Sequence, residues 1–301
     1  MTVSVLGLGA MGSRLAARLL TAGHVVTVWN RSPGPTAALE SRGAAVAVSL
    51  TDAARASDLV LSIVRDDDAS RDVWEGGALD GLRAGTLVAE MSTLTPGRAR
   101  LLADRVAERG GRFLDAPVVG SRPQAEAGAL HVLAGGDAAD VDAVRPVFSA
   151  FAGAVHPVGP HGAGMAMKLA VNAMLAVQAA ALGELLAALA AEGIAPSDAA
   201  TTLAMMPTSS PAASRLGAMM ADGTTAPNFP IALVAKDAAY ARQLSRAAGI
   251  PSHAVAGAAR AFAEAEAAGL GALDLAAVAR LYRDPASGGR SMGVNQPAMP
   301  R

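Results

Sequence analysis

The sequence predicts an α/β domain over residues 1–160, followed by an all-α domain over 161–285 that opens with one long interdomain helix. Three observations carry this reading. Up to about Pro160, short apolar runs alternate with helical patterns. From about His161 the strand signal stops, and helix follows helix. The length, 301 residues, is enough for two domains that each bury a core. The runs at 3–6, 25–29, 59–64, 87–89 and 112–114 read as strands, and 13–22, 96–108 and 138–151 as helices between them. The strands are almost continuously apolar, as in a parallel sheet covered on both faces. In the second half, Gly and Pro interrupt the helical pattern at 193–196, 207–211, 227–230 and 249–251. Residues 286–301 are rich in Gly, Pro and Ser and read as a mobile tail.

Composition narrows the function classes. Hydrophobic residues make up 52% of the chain but aromatic ones only 3%, so the core must be Ala, Val, Leu and Met. So much Ala favours close-packed helices. Net charge is −1 with no basic stripe, which argues against nucleic acid or an anionic membrane as partner. The chain has no cysteine. Disulfides and cysteine-based metal sites are excluded, and a reducing compartment is consistent with this. The amino terminus has no basic leader, and its apolar run breaks at once into glycines, unlike a signal peptide. The Ala/Leu/Met stretch 165–191 includes Lys168, Asn172, Gln178 and Glu184, which would be costly in lipid. It reads as a buried helix of a soluble, cytoplasmic protein.

The first strand runs into Gly7, Leu8, Gly9, Ala10, Met11 and Gly12, a G-x-G-x-x-G placed between a strand and a helix. Gly7 permits the tight turn, Gly9 a close approach to a pyrophosphate, and Gly12 helix–strand packing, with helix N–H groups facing the anion. In that context the motif predicts a Rossmann dinucleotide-binding domain. The second strand ends at Trp29. An NAD site there usually carries a carboxylate for the ribose hydroxyls. This chain has Asn30, Arg31 and Ser32. Arg31 can pair with a 2′-phosphate, and Asn30 and Ser32 can donate hydrogen bonds to it, so NADP is the expected cofactor.

Residues 162–172 read GAGMAMKLAVN, with Lys168 and Asn172 one turn apart on one helix face. Buried together, they need partners or a function. The alternative, Lys168 snorkelling to solvent, is equally open on composition. Asp66–Asp68 read as helix-capping residues rather than a cation site, and His156 and His161 as structural. The reading includes no metal site, and the 12 Met residues read as core filler.

Taken together, these segments resemble the β-hydroxyacid dehydrogenase family. That family includes 3-hydroxyisobutyrate dehydrogenase and the glyoxylate/succinic semialdehyde reductases, and is related to 6-phosphogluconate dehydrogenase. The resemblance runs to about residue 283. It rests on GLGAMG (7–12), WNRS (29–32), MSTLTP (91–96), DAPVVGS (115–121) with AEAGAL (125–130), the segment 162–172, and AKD (235–237). WNRS and GSRPQAEAG are most similar to the NADP-using semialdehyde reductases. The resemblance implies Lys168 as catalytic acid/base and Asn172 as the residue orienting substrate beside it. It implies Val64 and Thr93 at the cofactor, and Ser92, Val119, Gly120 and Ser121 at the substrate. Lys236, from the helical domain, would close over either. An ammonium near the carbonyl can stabilise and protonate the oxygen of an aldehyde under reduction. Burial and the oxidised nicotinamide would lower the pKa of Lys168 for the reverse direction.

One departure bears on specificity. The family's usual DAPVSGG has serine at the position of Val119 and glycine at that of Ser121. Two rival readings are an imine reductase, which generally lacks the lysine, and a non-catalytic NADP-binding scaffold. Lys168 speaks against the first, and intact Lys168, Asn172 and Lys236 against the second. The expected partners are a small aldehyde or hydroxy acid and a second copy of the chain, as homodimer or homotetramer.

Overall fold

The computed structural model describes residues 1–282; the expected tail at 286–301 lies outside the described residues. The described residues form two compact units, Met1–Asn172 with Ala239–Pro251, and Ala173–Ala238 with 252–282.

In the first unit, six strands form a parallel array in the order β3-β2-β1-β4-β5-β6. They are β1 (Thr2–Leu6), β2 (Val25–Trp29), β3 (Ala45–Val46), β4 (Leu59–Ser62), β5 (Leu87–Glu90) and β6 (Arg112–Asp115). Alternate residues face opposite sides, and both sides are covered. Val3, Val5, Leu59, Leu61 and Leu87 join one buried cluster, while Leu6, Val60, Val88 and Phe113 join another with Trp74. Double burial explains the unbroken apolar runs.

Beyond β6 the sheet departs from the expected parallel order. β7 (Val118–Val119) and β8 (Leu130–Gly135) pair antiparallel, β8 also runs antiparallel to β6, and β9 (Ala152–Gly159) lies parallel to β8. Only residues 120–129 connect β7 to β8. Parallel crossovers need about a dozen residues or more, so this connection reverses the chain. β9 is largely exposed and contains Pro157, which suits an edge position.

The second unit is helical, with helices Pro196–Ala204, Pro211–Asp222 and His253–Ala265, the first part of Ile231–Ala247, and a closing turn at Leu275–Tyr282. Its core joins Ala176, Ala179, Leu186, Leu216, Met220, Ile231, Val234, Phe262, Leu275 and Val278. Small residues permit the approach, since a Cβ on Gly183 would lie 3.1 Å from the Ala279 Cα. Asp274, fully buried, ties the segments together by accepting from the backbone N–H groups of Asn228 (2.8 Å), Phe229 (3.1 Å) and Ala276 (3.2 Å).

The interdomain helix runs from Ala163 to Ala191, 29 residues, long and apolar enough by length and composition to cross a membrane. The sequence reads it as buried, and that holds for one side only. Lys168 and Asn172 are buried, whereas Met167, Val171, Met174 and Leu185 are exposed. A helix that is apolar all round puts apolar residues outside as well as inside.

Candidate active site

The C-terminal ends of β1, β2, β4, β5 and β6 lie along one edge of the sheet. Ligands of such sheets bind outside that edge where the strand order reverses, here between β1 and β4. Gly7 has φ +95°, and a Cβ there would stand 2.5 Å from the Ile63 carbonyl oxygen. A Cβ on Gly12 would stand 1.9 Å from the Gly7 carbonyl oxygen. The protein's own backbone therefore demands both glycines. Gly9 differs, because no protein atom lies within 4 Å of the place its Cβ would take, and Gly9 and Ala10 are exposed. Open space beside the start of the helix Gly12–Thr21 is a cradle that suits a pyrophosphate.

Asn30, at the tip of β2, braces this loop. Its Oδ1 accepts from Leu8 N at 2.9 Å, and its Nδ2 donates to the Ser32 carbonyl at 2.8 Å. The amide thus joins the two loops, and one N–H of its Nδ2 remains beside the exposed Arg31 and Ser32.

The loops after β4 and β5 are joined from beneath. Val64 N donates to Ser92 Oγ at 2.7 Å, and Ser92 N donates to Glu90 Oε1 at 3.0 Å. Ser92 is 2% exposed, and its hydroxyl accepts from the Val64 N–H. Thr93 beside it is half-buried. The neighbouring acidic run splits its duties. Asp66 caps the helix Asp67–Val73 by accepting from Ala69 N at 2.9 Å. Asp67 instead holds Thr95 N at 2.9 Å and Thr95 Oγ1 at 2.6 Å, and its own N–H reaches the Tyr240 hydroxyl at 3.3 Å. Burial pushes the Tyr240 phenol up to about 12.

The long helix starts at the same sheet edge and is held there by Asp115, the last residue of β6. Its Oδ1 accepts from Gly162 N and its Oδ2 from Met165 N, both at 2.8 Å. Burial pushes the Asp115 carboxyl up to about 6, against the pull of these two N–H donors and of His161. His161 lies against Phe113, with a ring nitrogen 2.9 Å from the Phe113 carbonyl oxygen. His156 pairs with His131 through ring nitrogens 2.9 Å apart. The helix can sit this close because Gly164 has no side chain. A Cβ there would stand 2.5 Å from the carbonyl oxygens of both Asp115 and Leu133. Lys168 and Asn172 follow within two turns, 8% and 6% exposed. A buried amine beside a buried amide can exchange a proton with a ligand and orient it.

A sequence model of the NAD binding domain of 6-phosphogluconate dehydrogenase matches residues 2–159, and one described as the NAD-binding of NADP-dependent 3-hydroxyisobutyrate dehydrogenase matches 162–282. The chain belongs to the 3-hydroxyisobutyrate dehydrogenase family. It is 31% identical over 280 residues to glyoxylate/succinic semialdehyde reductase 1 of Arabidopsis thaliana, covering 92% of this chain and 97% of that one. The NAD-dependent L-serine dehydrogenase of Pseudomonas aeruginosa is 35% identical over 194 residues, 64% of this chain and 65% of the relative. Against an uncharacterized oxidoreductase of Shewanella frigidimarina, 39% identical, the match spans 58% of the relative's length. Among solved structures, 3-hydroxyisobutyrate dehydrogenase of Mycobacterium tuberculosis with L-serine superposes with a TM-score of 0.87 at 29% identity, covering 94% and 99% of the two chains. The family is one of NAD(P)-dependent hydroxy-acid oxidoreductases, and this chain has its Rossmann domain followed by a helical one.

Within this 3-hydroxyisobutyrate dehydrogenase fold, Val119 is half-buried at the end of β7 and Gly120 turns the chain at φ +127°. Ser121 donates its hydroxyl to Gln124 Oε1 at 3.0 Å, capping the short helix Arg122–Ala127. Lys236, on Ile231–Ala247 in the second unit, pairs with its neighbour Asp237 at 2.8 Å. Two buried carboxylates at the ends of strands, Glu90 and Asp115, escaped the sequence reading. The available signal was a carboxylate ending an otherwise apolar strand, where its burial demands several donors.

Proposed function

We propose that the protein moves a hydride between NADP(H) and a small hydroxy acid or its semialdehyde, with Lys168 as general acid/base. The observation that carries this reading is the buried Lys168–Asn172 pair on a helix anchored at the cofactor edge of the sheet. The bound nicotinamide supplies the hydride. Negative charge growing on the substrate oxygen is met by the Lys168 ammonium, which then gives up its proton; Asn172 holds the oxygen in line. In the other direction neutral Lys168 takes the hydroxyl proton. The direct test is NADPH oxidation over glyoxylate, succinic semialdehyde and methylmalonate semialdehyde, with cyclic imines as the rival class. Turnover of imines alone would overturn the reading, as would NADPH binding without turnover of any aldehyde.

Arg31 supports NADP over NAD. Arg31→Ala is expected to weaken NADPH binding by about 1.5–3 kcal/mol, the span for a charged hydrogen bond, and NADH far less. Equal loss for both cofactors, measured by calorimetry, would remove Arg31 from the phosphate site.

Val119 bears on the substrate. Valine has no hydroxyl to offer, and an unpaired polar group in a closed site costs about 1–3 kcal/mol. Small polar substrates such as glyoxylate should therefore be poor, and Val119→Ser should shift kcat/KM towards glyoxylate relative to a longer aldehyde. An unchanged ratio would show that Val119 does not set specificity.

The same reading has a cytoplasmic homodimer or homotetramer. The exposed Met167, Val171, Met174 and Leu185, spaced along one helix, support self-association.

A further inference from the structure

Glu90 ends β5 and is fully buried. Its side chain faces two ways. Oε2 accepts from Trp74 Nε1 at 2.8 Å and Ser70 Oγ at 3.2 Å, both on the core side. Towards the sheet edge Oε1 accepts from Ser92 N at 3.0 Å. Ser92 Oγ in turn accepts from Val64 N at 2.7 Å. Residues 63–64 are in turn the wall against which the glycine loop bends. At Gly7 a Cβ would stand 2.5 Å from Ile63 O and 2.9 Å from Val64 Cγ1. A chain of short contacts thus runs Glu90, Ser92, Val64, Gly7.

We propose that Glu90 is the positioning residue of the dinucleotide site, fixing through Ser92 the 63–64 segment that holds the glycine loop in its binding shape. Trp74 Nε1 and Ser92 N can only donate, so the arrangement calls for an acceptor on both oxygens. Burial pushes the Glu90 carboxyl above its usual range, and the donors from Ser92, Trp74 and Ser70 pull it back down. A core that needed only filling would carry an apolar side chain here. The whole arrangement, core side included, lies within residues 2–159, which the family match assigns to an NAD binding domain. The inference therefore rests on dinucleotide binding but not on the choice between NAD and NADP.

The test separates the two sides of the carboxylate. Ser92→Ala removes the relay and keeps the core bonds; Trp74→Phe removes a core bond and keeps the relay. NADPH and NADH affinities are measured by calorimetry, alongside thermal unfolding. Ser92→Ala and Glu90→Gln are expected to weaken binding of the preferred dinucleotide about tenfold or more. Trp74→Phe is expected to change it less than about twofold, even where it lowers Tm as much. Should Glu90→Gln fail to fold, the contrast between Ser92→Ala and Trp74→Phe decides. Wild-type affinity in Ser92→Ala, or equal weakening by Trp74→Phe, would reduce Glu90 to a core residue and overturn the proposal. Preference of the wild type for NADH would refute the NADP reading alone, and the Glu90 contrast would then be read on NADH.

Discussion

Lys168→Ala is expected to lower kcat by about 10²–10⁴, the usual span for loss of a general acid–base group, while leaving NADPH affinity near wild type. The size follows from chemistry. Hydride arriving at a carbonyl carbon leaves an alkoxide, and in a closed site little but a positioned cation can meet that charge. Lys168 is 8% exposed and Asn172, one turn on, 6%, so neither is a solvated surface group. A lysine that merely snorkelled to water could be truncated at a cost of a few tenths of a kcal/mol. Single-turnover rates with saturating NADPH check the prediction. Retention of most of the rate would refute the assignment, and so would a loss explained wholly by weaker cofactor binding.

The second large effect is expected at Gly164. Alanine there would place a methyl group 2.5 Å from two backbone oxygens, those of Asp115 and Leu133, on strands that cannot swing aside. The start of the long helix must move outward, breaking the bonds from Gly162 N and Met165 N to Asp115. Overpacking of a tight contact costs about 1–3 kcal/mol, and each N–H orphaned from a buried carboxylate adds about as much again. Gly164→Ala should therefore lower stability by several kcal/mol. It should also cut kcat at least tenfold in whatever fraction folds, because Lys168 rides on the same turns. Gly257→Ala, in a helix position where a methyl group would meet nothing within 4 Å beyond its own chain neighbours and helix backbone, is the control, and should be neutral or stabilising. Circular dichroism melts and kcat on the soluble fraction decide; a fully active, stable Gly164→Ala would mean that the helix start is not clamped.

The sequence made legible what depends on local pattern. β1, β2, β4, β5 and β6 are buried on both faces and show as apolar runs, and Gly7 and Gly12 sit where backbone contacts demand glycine. β7, two residues long, and the exposed, proline-bearing β9 lack that signature, and a short connection reversed β8. The burial of Lys168 and Asn172 on one helix face was legible from their spacing. The site was obscure where a side chain's meaning lies in its partner. Asn30 reads as an outward donor until Leu8, 22 residues earlier, is seen against it. Asp115 binds N–H groups 47 and 50 residues away, and nothing in its own segment announces them. The long helix misled in another way. Lys168 and Asn172 lie inside while part of its apolar surface lies outside, the opposite of what its hydropathy suggests for a buried helix.

The chain has two tryptophans, Trp29 and Trp74. Trp29 ends β2 and accepts Gly7 N on its carbonyl at 3.0 Å; Trp74 donates to Glu90. Both belong to the first compact unit, so the tryptophan emission of this protein comes from that unit alone, while the second is optically silent in that channel. Emission should therefore follow events at the dinucleotide loops and miss the melting of the second unit, which far-ultraviolet circular dichroism records through its helices. Superimposable melts by the two probes would mean that the units unfold together; separated ones would mean that stability measured by emission describes only the cofactor half.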